Sequence, residues 1–322
     1  FPLGVMWILQ SYSWAIAAAG VLGLLFFWLD KRARGGVGSL FQLFGFLAPA
    51  LVLLLVGLVL PVVQTLVQSM FNSRGDTFIG LDNFVWIFTQ PQGIRTVVNT
   101  IVWVLIAPVV STLVGLVYAY FIDKTRGEKV YKILVFLPMA ISFVGASIIW
   151  RFMYTARPAD AEQIGFVNQI IVWLGGSPVP FLQVQPWNTL ALIVVFIWIY
   201  TGFAMVVLSA AIKGVPTEQM EAAELDGANA YERFMNVVVP GIRPSLIVVL
   251  TTIAIASMKI FDIVRTMTAG ANNTSVLANE MYQQFRSFEP GRSAAYAVIM
   301  FILVLPLVIY NARQLKAQRE VR

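Results

Sequence analysis

The feature that most constrains this chain is a series of long stretches with almost no charge, each about as long as a membrane-spanning helix. Residues 5–29, 41–66, 96–122, 133–154, 189–212, 245–262 and 294–311 are each dominated by Leu, Val, Ile, Phe and Ala. About 20 apolar residues in a helix span the roughly 30 Å of bilayer hydrocarbon. Only 12% of the 322 residues are charged and mean hydropathy is +0.79, against about 25% charged in an ordinary soluble domain. Segments of about ten residues with in/out alternation, the mark of a membrane β-barrel, are absent. The predicted fold is therefore all-α, a polytopic helical membrane protein of about seven transmembrane helices. The sequence begins at Phe1 rather than Met, and it is expected to continue beyond that residue, with room for an eighth span.

Basic residues order the spans. Loops 30–36, 123–132, 213–244 and the tail after 312 hold fourteen Lys and Arg, whereas loops 72–95, 155–188 and 263–292 hold six. A bias that alternates through every span places the first group in the cytoplasm. The same bias explains the net charge of +6 without nucleic acid. Residues 1–36 read as an extra N-terminal membrane helix with its cytoplasmic turn, and 37–322 as the main membrane domain. With no Cys and no His, thiolate or imidazole metal sites and nucleophile–His catalytic sets are excluded, so no catalytic and no metal residues are expected.

One cytoplasmic loop, 213–244, is too long and too polar to be a simple turn. Pro216 and Thr217 make a helix start, with Thr217 as expected cap and Glu218 in the first turn. Gly227 is expected to break that helix in a left-handed conformation, and a second helix is expected from about 229 until Pro240 ends it. Met220, Ala223, Leu225, Phe234 and Val237 would form an apolar ridge on this hairpin, packed either on the protein's own surface or on a partner. Elsewhere, Asp82 or Asn83 is expected to cap a short interfacial helix, and 166–174 to form an amphipathic one.

The spacing within the hairpin resembles the EAA loop of permease subunits from binding-protein-dependent ATP-binding-cassette importers. Glu221-Ala222-Ala223, Gly227, Val237, Val239 and Pro240 match it without a gap. Gly80-Leu81-Asp82-Asn83-Phe84, Lys259-Ile260-Phe261-Asp262 leading to Met267-Thr268, and Leu277-Ala278-Asn279-Glu280-Met281-Tyr282 are similar to motifs of the maltose/α-glucoside group. Ala269-Gly270-Ala271-Asn272-Asn273 departs from the Gly-Gly-Pro common there.

The resemblance implies a transport subunit rather than an enzyme, in the cytoplasmic membrane of a prokaryote, moving sugars by alternating access. It implies partner ATP-binding-cassette ATPase subunits that bind the ATP and magnesium, a second permease subunit, an extracytoplasmic sugar-binding protein and surrounding lipid. This chain itself carries no Gly-x-x-x-x-Gly-Lys-Ser/Thr phosphate loop and no cofactor is expected in it. Glu221, Ala222, Ala223, Asp226, Gly227, Phe234 and Pro240 are the expected ATPase-coupling residues. For the sugar, aromatic faces and hydroxyls are needed. Trp198 stands out in span five, and the family's sugar-contacting positions fall near Phe196, Tyr200, Phe203 and Ser257. Lys259 and Asp262, three apart, are expected to form a structural ion pair, because an unpaired intramembrane Lys is unfavourable by about 2.5–3.5 kcal/mol. A competing expectation is an ion-coupled secondary transporter or channel using Lys259, Asp262 and Arg151 as a relay.

Overall fold

The computed structural model describes residues 20–21, 23–24, 47–123 and 125–320. The expected first span and the cytoplasmic turn after it lie almost wholly outside the described residues. The chain divides into two compact units, Phe1–Val67 and Gln68–Arg322. Among the described residues all regular structure is helical, apart from one isolated bridge between Phe71 and Phe78.

The helix Leu47–Gln68 (α1) has a mean hydropathy of 2.6 and contains a π-turn at Leu55–Val59. The second unit begins with the short helix Asp82–Thr89 (α2). Its N-cap is Leu81, with no side-chain cap bond. The expected capping by Asp82 or Asn83 is therefore corrected. Asn83 is inside the helix and buried, where it donates to the carbonyls of Ser69 and Phe71, both at 2.9 Å. A buried amide gains more from two carbonyl partners than from one end of an exposed helix.

Four further helices are long and apolar enough to cross a membrane: Pro91–Ile122 (α3), Trp187–Lys213 (α7), Ala230–Met258 (α9) and the 290–313 part of Pro290–Glu320 (α12). Between α3 and α7 lie Glu128–Phe136 (α4), Phe143–Met153 (α5) and Phe166–Trp173 (α6). The expected fourth span is a broken one. Its two halves, 128–140 and 143–153, meet at 101°. The break has a local cause: Pro138 sits in a 3-10 turn, Ile141 is extended, and Ser142 restarts the helix by accepting the Gly145 N–H at 3.1 Å. The described residues thus hold five helices long and apolar enough to cross a membrane, or six with that bent pair counted as one span.

The core of this unit is the α3–α7 seam. Trp103, Ala107, Phe196, Ala204, Met205 and Leu208 are fully buried there. The helices approach closely enough that a Cβ on Gly115 would stand 2.5 Å from the Ala204 Cβ. Gly202 plays the same part against α4, where an added Cβ would lie 2.6 Å from the Val135 carbonyl oxygen. On the opposite side of α3, Leu105, Val109, Leu113 and Val117 repeat every fourth residue and are exposed, and the last three line an apolar groove with Phe234, Leu246 and Leu250 of α9.

Two segments between the spans are ordered. The 155–186 segment hangs on Asn168 of α6. Its side chain accepts from Val179 N–H at 2.7 Å and donates to the Tyr154, Thr155 and Val179 carbonyls at 3.1–3.2 Å. The 259–289 segment forms two helices, Asp262–Met267 (α10) and Leu277–Arg286 (α11). Leu277 packs with Ile87, Ala295 and Tyr296 in a second cluster.

Candidate functional site

The hairpin 213–244 forms, with corrected ends. Its first helix is Thr217–Leu225 (α8), whose N-cap is Pro216, so Thr217 is the first helical residue and provides no cap bond. The chain then turns as expected at Gly227, φ +84°. The Gly227 and Ala228 N–H groups return to the Glu224 and Ala223 carbonyls, both at 3.0 Å, which closes the α8 end in the manner of a glycine-terminated helix. Asn229 starts the next helix with a full capping box. It accepts from the Tyr231 and Glu232 N–H groups at 3.0 Å, while the Glu232 carboxylate accepts the Asn229 N–H at 2.7 Å.

That second helix does not stop at Pro240. It continues as α9 to Met258, 29 residues in all. A π-turn at Phe234–Val238 makes this possible. The Val239 N–H reaches back five residues to the Phe234 carbonyl, and Pro240 falls in the first turn of the resumed α-helix, where a missing N–H is tolerated. Hairpin and span six are one continuous helix.

The apolar ridge divides in two. Phe234 is half-buried and packs on Tyr120 of α3 with ring centroids 4.5 Å apart, so it anchors α9 to its own chain. Leu225 points the other way and is 89% exposed, as is much of Tyr231 at 69%. Glu221, Ala222, Asp226, Gly227 and Pro240 are also exposed, and Ala223 is half-buried. An exposed Leu225 beside Glu221, Glu224 and Asp226 forms a small amphipathic knob, the composition of an interaction site more than of a self-packed loop, whereas Tyr231 lines a groove with Phe234 and Tyr120.

The hairpin's root is pinned by charges that sequence reasoning missed as a group. Lys132 of α4 pairs with Asp123 and Glu128, both at 2.7 Å. Lys213, the last residue of α7, pairs with Glu128 and lies 3.9 Å from Asp123. Ser209 donates to the Asp123 carboxylate at 2.8 Å. The i, i+4 spacing of Glu128 and Lys132 was the available signal. The join to α7 and Asp123 needs the tertiary fold.

The sugar-facing candidates do not form one surface. Phe196, Tyr200 and Phe203 belong to an aromatic stack with Phe143 and Trp103, the Phe196 and Tyr200 rings lying 4.4 Å apart. Trp198 faces elsewhere, onto Trp150 at 5.7 Å. Ser257 is fully buried and donates to its own helix at Ala254. Tyr200 and Phe203 are half-buried, whereas Phe196 is enclosed.

The expected Lys259–Asp262 ion pair is corrected. Helix α9 ends at Met258, so Lys259 is its C-cap while Asp262 opens α10, and the i, i+3 geometry of one helix is lost. Among the described residues no ion pair links them. Lys259 is exposed at the helix end, where it has no need of burial or a partner. Arg151 lines a separate pocket with no Asp or Glu in its walls. The intramembrane relay of a secondary transporter is therefore not assembled.

Residues 111–319 match the family model described as the binding-protein-dependent transport system inner membrane component. The chain belongs to this family. Within this inner-membrane-component family it is 44% identical over 280 residues to the osmoprotective compounds uptake permease protein GgtC of Synechocystis, covering 86% of this chain and all of the relative. It is 46% identical over 270 residues to the alpha-glucoside transport system permease protein AglF of Rhizobium meliloti, covering 83% and 80%. The fold agrees with a bacterial ABC transporter involved in alginate import, with a TM-score of 0.73 at 22% identity over 84% of this chain and 94% of that one. As an inner membrane component, the chain is a multi-pass transport permease.

Proposed function

We propose that this permease is the transmembrane subunit of an ATP-driven importer carrying α-glucosides and related oligosaccharides across the cytoplasmic membrane of a prokaryote. One observation carries the reading. The exposed knob of Glu221, Ala222, Leu225, Asp226 and Gly227 is joined through the Gly227 turn to a helix that runs unbroken into a membrane span. A docking knob built into the end of a span is what a separate motor needs in order to move that span. ATP and magnesium belong to partner ATPase subunits in this scheme, and no step of hydrolysis falls to this chain. A second permease subunit completes the pathway, and an extracytoplasmic sugar-binding protein delivers the cargo.

The substrate class rests on the similarity to an α-glucoside permease and on the aromatic stack. Tyr200 and Phe203 supply the aromatic faces that a pyranose ring packs against. Phe196 and Ser257 act behind them by shaping the stack and the helix turn. Trp198 braces α7 on α5. Motion of the hairpin would change the relation of α7 to α9 and so open the cavity to one side or the other.

The test is reconstitution of the whole complex in liposomes with sucrose or maltose as cargo. Uptake is expected only with ATP and the binding protein together. Uptake driven by an ion gradient without ATP overturns the proposal.

A further inference from the structure

A groove of about 780 Å³ runs between α3, α9 and α12. Its walls are mostly Val, Leu, Ile, Phe and Met side chains, with no charged residue among them. Along α3 it extends from Val109 to Phe121, about 18 Å by helix rise. Half of the roughly 30 Å of bilayer hydrocarbon is about 15 Å, so the groove is one leaflet long. Tyr120, Tyr231 and Tyr310 line it. Tyr120 stands two residues before the end of α3, next to the loop 123–132 that the basic residues place in the cytoplasm. Tyrosine suits that level of a membrane, since its ring is apolar and its hydroxyl can stay wet.

A cation sits in the middle of this apolar face. On α9, Val239, Leu246, Ile247 and Leu250 line the groove. Arg243 comes four residues after Val239 and four before Ile247, so helical register puts it on the same stripe. It is exposed, and among the described residues no carboxylate lies within ion-pair reach of it. Counting about 20 residues back from the end of α9 at Met258 puts the inner edge of the hydrocarbon near residue 238. Arg243 thus lies about one turn inside the leaflet, a depth from which its stem can lift the guanidinium to headgroup level. A guanidinium so placed calls for an anion. Arg313, three residues beyond Tyr310 on α12, is a second exposed cation towards the same end.

We infer that this groove binds a phospholipid of the cytoplasmic leaflet with an anionic headgroup, its acyl chain lying between α3 and α9 and its phosphate on Arg243. A guanidinium fork matches two phosphate oxygens, and a lipid brings that phosphate already joined to a chain of one leaflet's length. A protein helix seated here would have to carry its own carboxylate to the level of Arg243. The site depends on membrane orientation alone, and neither cargo nor motor enters it.

The test uses the complete transport complex in phosphatidylcholine vesicles containing a minor share of phosphatidylglycerol with a photoactivatable diazirine on its acyl chain. After illumination, labelled residues are located by peptide mass spectrometry. Labels should concentrate at the groove, on Val117 and Leu250 among others, and phosphatidylcholine bearing the same diazirine should label these positions severalfold less. Arg243→Gln should lower groove labelling by phosphatidylglycerol about tenfold, the size expected for one charge-assisted contact to phosphate. Arg243→Lys should lower it less, keeping charge without the fork. Leu113→Trp fills the groove without touching the charge and should reduce labelling there by both lipids, which keeps the test open if an Arg243 variant fails to insert. Labels spread evenly over the spans, or groove labelling unchanged in both Arg243→Gln and Leu113→Trp, overturn the inference. A cross-link from Leu113→p-benzoylphenylalanine to another polypeptide assigns the groove to a second permease subunit and also overturns it.

Discussion

Arg233, in the first turn of the long helix α9, reaches back across the turn to the Ala228 carbonyl at 3.2 Å and the Glu224 carboxylate at 3.5 Å. The two hairpin helices are thereby tied to each other beside Gly227. Glu224 is 68% exposed, so the ion pair itself contributes only about 0–1 kcal/mol. Its value is angular, since it fixes how α8 projects from the end of α9. Arg233→Ala should lower sugar uptake severalfold with no change in the thermal midpoint of the purified protein. Glu224→Gln should be nearly silent, because the Ala228 bond survives it. Uptake at the unaltered level in Arg233→Ala would remove the angular role.

Gly227 gives a graded test of the turn. A Cβ there meets nothing within 4 Å, so the only penalty is the left-handed backbone. Gly227→Asn should retain most transport, Gly227→Ala should destabilise the turn by about 1–2 kcal/mol, and Gly227→Pro should abolish uptake while the protein still inserts. Equal uptake in all three, measured at matched membrane levels, would separate the turn from coupling.

Leu225 is the most exposed large apolar side chain of the hairpin. Leu225→Asp removes no internal packing, so heat stability of the isolated chain should not move. Co-purification of the ATPase subunits should fall at least tenfold, the loss expected when an apolar contact at the centre of an interface becomes a charge. Retained co-purification would place the docking surface elsewhere.

The α3–α7 seam predicts the opposite pattern. Gly115→Ala forces a Cβ against Ala204 and the Met205 N–H. Overpacking of this kind is unfavourable by about 1–3 kcal/mol, seen as a lower melting temperature in detergent. Gly202→Ala should behave alike, because its obstacle is the α4 backbone at Val135 and Phe136. An unchanged melting temperature for both would mean the helices can separate freely.

Hydropathy and loop charge make the spans within the described residues legible from the residues alone, because a bilayer demands length and apolarity more than it demands particular contacts. The hairpin's start and its Gly227 turn are legible for a similar reason, being local backbone chemistry. Pro240 misleads, since the register change that accommodates it depends on the π-turn packing Phe234 onto Tyr120. Lys259 and Asp262 mislead because the helix end at Met258 comes from the fold of 259–289, a segment whose two helices are held by partners far away in sequence, such as Asn99 and Thr100. The binding candidates are the least legible. Aromatic residues spaced along one span face several neighbours at once, and only packing separates Trp198 from Phe196 and Tyr200.

The unbroken run from Ala230 to Met258 makes the two ends of the hairpin unequal. At α8 the chain joins α7 through the non-helical 214–216 segment, a joint that can swivel, with Lys213 clamped just before it by Glu128. At α9 there is no joint. A push on the knob at Leu225 and Asp226 would first cross the Gly227 turn, where Arg233 ties α8 to α9, and then enter a single helix about 43 Å long that ends at Met258. On the importer reading proposed above, span six rather than span five is the helix that the knob would move.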